Sequence, residues 1–346
     1  VYVETAPGVR LGGVVSLSLF FTHSCAVRAD GGAFCWGQAA GDVLGGGSPN
    51  EFEPRPRPVL SAPGVPLAGV TSLAVGVSHA CAVVAGGQAR CWGQNYRGQL
   101  GDGDFDASPY ARPVLASPGV PLAGAQAIAV GAEHSCAIVA GGQVRCWGAG
   151  GQGQLGDNSP VPDFGHESPF PVTVLSAPGA PLAGAQSLAS SVYHICAVVA
   201  GGQARCWGDN TSSQLGHGFG FDLYASLARP VLAAEGGPNL TGVQSIAMGW
   251  FHTCAAVAGG QARCWGDNVA GQLGFEASIP YEAFPLPVLA SPGVPLTGAQ
   301  SIAASARHTG VLTTAGGVLG WGDDAFGQRG NGLSRHRPHP VTVALP

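Results

Sequence analysis

The apolar residues of this chain fall in short runs cut by turns, and the runs return in a fixed order. Over one stretch the order is Ser72–Val75, Cys81–Val84, Gln88–Trp92 and Pro113-Val114-Leu115, which predicts four strands, A to D. Runs B and C are nearly continuous in apolar residues instead of alternating with polar ones, the pattern of sheets covered on both faces. No run of 18 apolar residues occurs, so no helix is expected to span a membrane.

The stretch Ser78–Gly93 recurs six times, with His at 23, 79, 134, 194, 252 and 308 and Trp-Gly at 36, 92, 147, 207, 265 and 321. A period of 55 to 60 residues carrying four strands indicates propeller blades rather than solenoid turns. The expected fold is all-β, a closed β-propeller of six blades of four antiparallel strands forming one domain over residues 1–346. The repeat units run over about 14–60, 70–115, 125–174, 185–232, 243–289 and 299–343. A lone blade would be unstable, and closing a ring removes most sheet edges.

Composition agrees and narrows the class. The 57 Gly and 27 Pro among 346 residues, with a single Met, favour short strands and many turns over helices. With 45% hydrophobic and 10% charged residues there is ample apolar surface to bury, so the chain folds. The formal charge is −5 and all 15 cationic residues are scattered Arg, a poor phosphate-binding surface, so no nucleic-acid partner is expected. The first residues, Val1-Tyr2-Val3-Glu4, fit a mature chain already trimmed of a targeting segment.

The His-x-Cys-Ala-Val run, the Gly-Gly turn and Trp92-Gly93-Gln94-Asn95-Tyr96-Arg97-Gly98-Gln99-Leu100-Gly101 together resemble the repeat of the regulator of chromosome condensation family. The resemblance covers nearly the whole chain in six in-phase copies. It implies a propeller that in the family typically has seven blades, so a seventh is left open beside the six hairpins counted here. The first copy departs at Ala39 and Asp42-Val43-Leu44, and the last at Gln328-Arg329-Gly330. The nuclear founder is an exchange factor for a small GTPase on chromatin, a role that an acidic, lysine-free chain with paired cysteines does not fit. A secreted bacterial relative inhibits β-lactamases, and the compartment and aromatic loops read here suit a bacterial secreted-type member.

All ten Cys form five equally spaced pairs, each bracketing one B–C hairpin: Cys25 with Cys35, Cys81 with Cys91, Cys136 with Cys146, Cys196 with Cys206, and Cys254 with Cys264. A three-residue loop such as Ala85-Gly86-Gly87, with one Gly in a left-handed bulge, sets the two Cys directly opposite; Ala29-Asp30-Gly31 suits a type I turn followed by a left-handed Gly. Each disulfide then contributes roughly 2 to 3 kcal/mol on the chain-entropy model. Zinc is not expected, because each blade offers two thiolates and neighbouring blades are too far apart to complete a tetrahedron. Five disulfides imply an oxidising compartment: extracellular, cell-surface or periplasmic.

The recurring His and Trp read as structural, because an active site needs one asymmetric constellation. Arg90, Arg145, Arg205 and Arg263 lay their stems over apolar neighbours, and an anion-binding ring is the weaker alternative. The copies differ most between the Gln-Leu-Gly turn and strand D, where specificity usually sits. Eleven of the 19 Phe and Tyr lie in these segments: Phe52, Phe105, Tyr110, Phe164, Phe170, Phe219, Phe221, Tyr224, Phe275, Tyr281 and Phe284. Either they form a binding face or they pack under their own loops. Asp102, Asp104 and Asp106 have calcium-loop spacing but lack the sixth-position Gly and the closing Glu. Asn210 and Asn239 begin N-glycosylation sequons.

These features predict a non-enzymatic extracellular scaffold that needs no cofactor or metal, binds a protein or glycan, or self-associates head to tail into a surface structure or fibre. The alternatives are a secreted inhibitor of an enzyme and, further off, a glycan-active enzyme. Residues 1–9 and 340–343 both align with strand D, which would give seven D strands for six A-B-C sets.

Overall fold

In the B–C hairpin of blade 2, Gly87 N–H donates to Val84 O (3.0 Å) with Gly86 at φ +87° and Gly87 at +74°. This geometry sets Cys81 opposite Cys91. Four hairpins thus need two left-handed glycines where the sequence predicts one; the fifth, Ala29-Asp30-Gly31, uses Gly31 alone (φ +80°). All five expected disulfides are formed, each within one hairpin and with a Cα–Cα distance of 4.1 Å. They join Cys25 to Cys35, Cys81 to Cys91, Cys136 to Cys146, Cys196 to Cys206 and Cys254 to Cys264. In each pair the two residues are direct cross-strand partners, as the equal spacing requires.

The structure is a computed structural model that describes residues 3–20, 22–38, 40–47, 52–218, 222–276, 280–329 and 337–343. It is an all-β propeller fold of six four-stranded antiparallel blades, each in the order A-B-C-D. Blade 1 comprises Val14–Phe20, His23–Arg28, Ala33–Gln38 and Phe52–Pro58; blade 2 comprises Val70–Val75, His79–Val84, Gln88–Gly93 and Ser108–Pro113. Blade 3 has Ala127–Val130, His134–Val139, Gln143–Ala149 and Glu167–Thr173. Blade 4 has Ala185–Ser190, His194–Val199, Gln203–Asp209 and Tyr224–Pro230, and blade 5 has Val243–Met248, His252–Val257, Gln261–Asp267 and Tyr281–Pro287. Blade 6 has Ala299–Ser305, His308–Thr313, Val318–Gly322 and Arg337–Thr342. The chain divides into two compact units, Val1–Leu175 with Gly179–Ala183 and Ser176–Pro178 with Gly184–Pro346, holding three blades each.

Two strand assignments need correction. Strand D of blade 2 is Ser108–Pro113, ending at the Pro of the Pro-Val run, because the register with strand C is reached there (Cys91 opposite Arg112), and the C-terminal run from Pro340 to Thr342 lies in strand D of blade 6 as aligned. The Pro-Val run instead opens a separate two-stranded hairpin, Leu115–Ser117 with Val120–Pro121, that leads into the next blade. Glu4–Ala6 and Val9–Arg10 form the same hairpin before blade 1. The N-terminal segment is therefore a connecting hairpin, and the described residues hold one D strand per blade.

Within each unit, successive blades meet through a repeated joint. Between blades 2 and 3, Trp147 Nε1 donates to Gln99 O (2.9 Å) and the Ser135 hydroxyl donates to the same carbonyl (3.0 Å). The same hydroxyl lies 2.8 Å from His79 Nε2, so the histidine is tied into the joint. Blades 4 and 5 repeat this with Trp265, Thr253 and His194 around Gln214 O, and blades 5 and 6 with Trp321, Thr309 and His252 around Gln272 O. The disulfide of one blade and strand A of the next lie in the same apolar cluster: Cys81, Cys91, Val83 and Leu100 pack with Ile128, Val130 and Trp147. Between blades 1 and 2, Trp92 donates to Val43 O (2.8 Å), but Ala80 stands where the hydroxyl belongs and buried His23 Nε2 has no partner among the described residues.

Blade 6 carries a coordinated exception. Gly310 and Gly320 replace the cysteines, Arg329 replaces the leucine of the other turns, and Asp324 stands where blade 2 has Asn95. The Arg329 stem lies over Gly320, and its Nη2 meets Asp324 Oδ2 at 2.8 Å with both side chains buried. A buried charge is tolerated only with its partner, so the two replacements depend on each other.

Two outcomes are expected. Ala80→Ser gives His23 its missing partner and raises stability by about 1 kcal/mol, read as a shift in urea midpoint at constant slope. Burial holds His79, His134 and His252 down to about 3 and His23 to about 4. Below the ordinary value of 6.5 the unfolded chain binds protons that the folded chain refuses, so stability is full above that pH and falls as pH drops toward 3. Each fully buried His should contribute a slope of up to about 1.4 kcal/mol per pH unit, measured as urea midpoint against pH.

Candidate binding face

The turn after strand C is held from within. Asn95 Oδ1 accepts from Leu100 N–H (2.9 Å) and Gln99 Oε1 accepts from Arg97 N–H (2.8 Å), which is why the repeat needs an Asn to open this turn and a Gln just before its Leu-Gly end. Asn210 with Gln214, and Asn268 with Gln272, repeat both bonds. The residue after the Asn makes neither of these bonds with its side chain and projects outward. This position supplies Tyr96 and Val269, at 51% and 67% exposure, and the same turn of blade 6 supplies Phe326 at 92%. Sequence reasoning misses these positions because they sit inside the repeat, although their variation among copies is an available signal.

The aromatic residues of the C–D segments separate into three groups. Phe52, Phe105, Phe164 and Tyr281 are exposed. Tyr110, Phe170 and Phe284 are half-buried and lie against glycines of the preceding blade, Gly47, Gly103 and Gly218; at Gly47 and Gly103 a Cβ would press on the ring. Phe275 is buried in the core cluster of blades 5 and 6, so it is withdrawn from the face. Tyr224 is half-buried at the start of its strand D. Phe219 and Phe221 lie outside the described residues.

In the first unit, charged networks brace this end of the blades. Tyr96 Oη donates to Glu133 Oε1 (2.7 Å), and its phenol is pushed up to about 12, first by partial burial of the group and then by that carboxylate. Arg97 bridges Glu133 (3.7 Å) and Glu167 (3.2 Å). Asn95 Nδ2 and Arg112 Nη1 together hold the carboxylates of Asp102 and Asp104 at 3.0 to 3.1 Å, while Asp106 is exposed. Burial raises the Asp102 carboxyl against the pull of Arg112. The oxygens that a cation would use are thus taken, and no group of three His, Cys, Asp or Glu comes together among the described residues. In the second unit, Asp209 Oδ2 accepts from Gln214 Nε2 (2.8 Å) and Thr211 Oγ1 (3.1 Å), and Leu223, Val269 and Tyr281 are exposed in the segments after strand C.

The remaining candidates are structural. Arg90, Arg205 and Arg263 donate through Nη1 to strand D carbonyls of their own blades, Ala111, Ala228 and Pro285, at 3.1 to 3.2 Å. Arg145 occupies the same register position, opposite Thr173. Asn210 is buried, with Nδ2 donating to Asp222 O and Oδ1 accepting from Leu215 N–H, so a glycan there would require the turn to open. Asn239 is half-buried and bridges to Leu232.

Against this fold, with its recurring blade joint and turn, the family model of the RCC1-like domain matches residues 3–345. The chain belongs to the RCC1-like domain family. Among curated proteins it is similar to the ultraviolet-B receptor UVR8 of Arabidopsis thaliana, 28% identical over 95% of this chain and 70% of that protein. It is also similar to the probable E3 ubiquitin-protein ligase HERC6 of Homo sapiens, 29% identical over 90% of this chain but only 27% of that protein. Two solved structures share the fold: human WBSCR16, with TM-score 0.78, 21% identity and coverage of 96% and 83%, and yeast RCC1 (Prp20) bound to Kap60, with 0.76, 19%, and 96% and 75%. The five disulfides are those of a protein from an oxidising environment.

Arg112→Ala should leave buried Asp102 and its neighbour Asp104 without their cation. At neutral pH the loss is expected at about 1 to 2 kcal/mol, discounted because Arg112 is partly exposed. It should shrink as pH falls and Asp102 protonates, and urea melts of wild type and variant at two pH values check this.

Proposed function

We propose that this RCC1-like propeller is a non-enzymatic extracellular or cell-surface protein that binds a partner protein through the turns after strand C and the C–D segments, with its six blades acting as one domain. The observation that carries the reading is the contrast in these segments between fixed backbone and free side chains. Turns pinned by Asn and Gln accompany exposed Tyr96 and Phe105 in blade 2, Leu223 in blade 4, and Val269 and Tyr281 in blade 5, and Phe52, Phe164 and Phe326 are exposed in the corresponding segments of blades 1, 3 and 6. Aromatic side chains on rigid backbone lose little entropy on docking, which suits hot-spot residues. The family supports protein binding as a mode: Prp20p of Saccharomyces cerevisiae has binding properties to Gsp1p and histones. The disulfides support an extracellular site of action, and an enzyme as target, with this chain as its inhibitor, is the narrower form of the same reading.

The test is comparative capture from the extracellular fraction of the source. Immobilised wild type should enrich a discrete protein, and the triple variant Phe52→Ala, Phe105→Ala, Phe164→Ala should lose at least about 10-fold of it, since each lost anchor is worth more than about 1 kcal/mol. The control is Val65→Ala with Val120→Ala, two exposed residues on connecting hairpins. Capture unchanged by the aromatic triple, capture of glycans alone on an array, or turnover abolished by a single loop carboxylate substitution would each defeat the reading.

A further inference from the structure

In an antiparallel blade the A–B and C–D connections lie at one end and the B–C and D–A connections at the other. In blades 2 and 3, which belong to one unit, the first of these ends is a single knitted surface. Gly103 N–H donates to Pro169 O (3.1 Å), and Gly98 lies so close to Pro169 that a Cβ would clash with it. Arg97 of blade 2 reaches Glu133 and Glu167 of blade 3, and Tyr96 donates to Glu133. Tyr96, Phe105 and Phe164 stand out of this surface at 51%, 45% and 64% exposure.

The charge around these rings is one-sided. Arg97 answers two carboxylates, Glu133 and Glu167, and Arg112 answers two, Asp102 and Asp104, so each network keeps a negative surplus. Asp106 and Asp163 are exposed and adjoin Phe105 and Phe164 in the chain, and Asp157 meets His166. With these seven acids against two Arg, the surface carries a formal −5, the net charge of the whole chain; the other 13 acidic and 13 Arg residues cancel.

We propose that this end of blades 2 and 3 docks a cationic protein segment, one in which Lys or Arg side chains stand beside apolar ones. The proposal rests on the protein-binding reading above and names the chemistry of the partner. The exposed rings define the surface, and the charge around them selects what covers it. A guanidinium or ammonium group laid over Phe105 or Phe164 meets the negative face of the ring within reach of the carboxylate surplus. An anionic partner, whether nucleic acid, acidic glycan or acidic protein, is repelled at the same place. Attraction of this kind steers the encounter and speeds association, and it weakens as salt shortens the Debye length.

The probes are two labelled peptides, three repeats of Arg-Trp-Lys-Gly and three of Glu-Trp-Glu-Gly, titrated with the full chain by fluorescence anisotropy. Wild type should bind the first and not the second, with an affinity that falls several-fold between about 50 and 200 mM salt. Asp106→Asn with Asp163→Asn should weaken binding about 5-fold, and Phe105→Ala with Phe164→Ala at least as much. Asp30→Asn with Glu235→Gln removes the same charge from exposed positions at the other end of blades 1 and 4, and should bind like wild type. Unreduced mass and circular dichroism confirm that each variant keeps five disulfides and its sheet content. Equal weakening by the two charge variants, no loss when the rings are removed, binding of the acidic peptide, or no binding of the basic one overturns the proposal. The protein-binding reading is decided apart from it: a captured protein that depends on the aromatic triple but not on Asp106 and Asp163 leaves that reading standing and this one refuted.

Discussion

One backbone carbonyl per joint carries the architecture. Gln99 O, Gln214 O and Gln272 O each accept two donors from the next blade, an indole N–H and a hydroxyl, and the hydroxyl in turn meets the histidine. Each group is buried, so each bond avoids the cost of an unsatisfied polar atom in the core. The Gln side chain pins the turn that presents its own carbonyl, so turn conformation and blade packing are specified by the same residue. The large apolar Trp can then be buried completely, because its one polar atom has a fixed acceptor.

This coupling explains why so much of the fold is legible in the sequence. The spacing of His, Cys, Gly-Gly and Trp-Gly sets strands B and C and their register, and those residues sit where the spacing puts them. Cys35, Cys91, Cys146, Cys206 and Cys264 each face the cysteine ten residues earlier, because one loop length serves all five hairpins. Strand D is harder to place because its residues, such as Ser108–Pro113, lack the apolar regularity of B and C, while the adjoining Pro-Val run looks more like a strand and leads into one, of a different hairpin. The hydroxyl of the joint is not legible as a partner of His, since Ala80, Ser135, Ile195 and Thr253 at that position read as an unimportant variable residue.

The candidate face is legible in outline only. Composition marks the C–D segments as aromatic, but whether a ring points to water or closes on a glycine depends on the preceding blade. Tyr110 and Phe105 lie in one segment and fall on opposite sides of that distinction. Likewise the Arg residues before the second Cys look like a ring of cations, yet their reach to strand D carbonyls makes Arg90, Arg205 and Arg263 backbone donors.

The connecting hairpins have a bearing on how the chain is made. The hairpin at 4–10 lies against strand D of blade 1, that at 60–66 against strand D of blade 2, that at 115–121 against strand D of blade 3 and that at 289–295 against strand D of blade 6. The segment that enters each of these blades thus covers the strand that leaves it, while the blade's broad apolar face is covered only by its neighbour. On a ribosome, each cysteine pair lies within one hairpin, so its two thiols are neighbours and can close before the next pair appears. Ordered synthesis thereby separates ten chemically equivalent thiols in time, and the correct partner is the nearest one at every step.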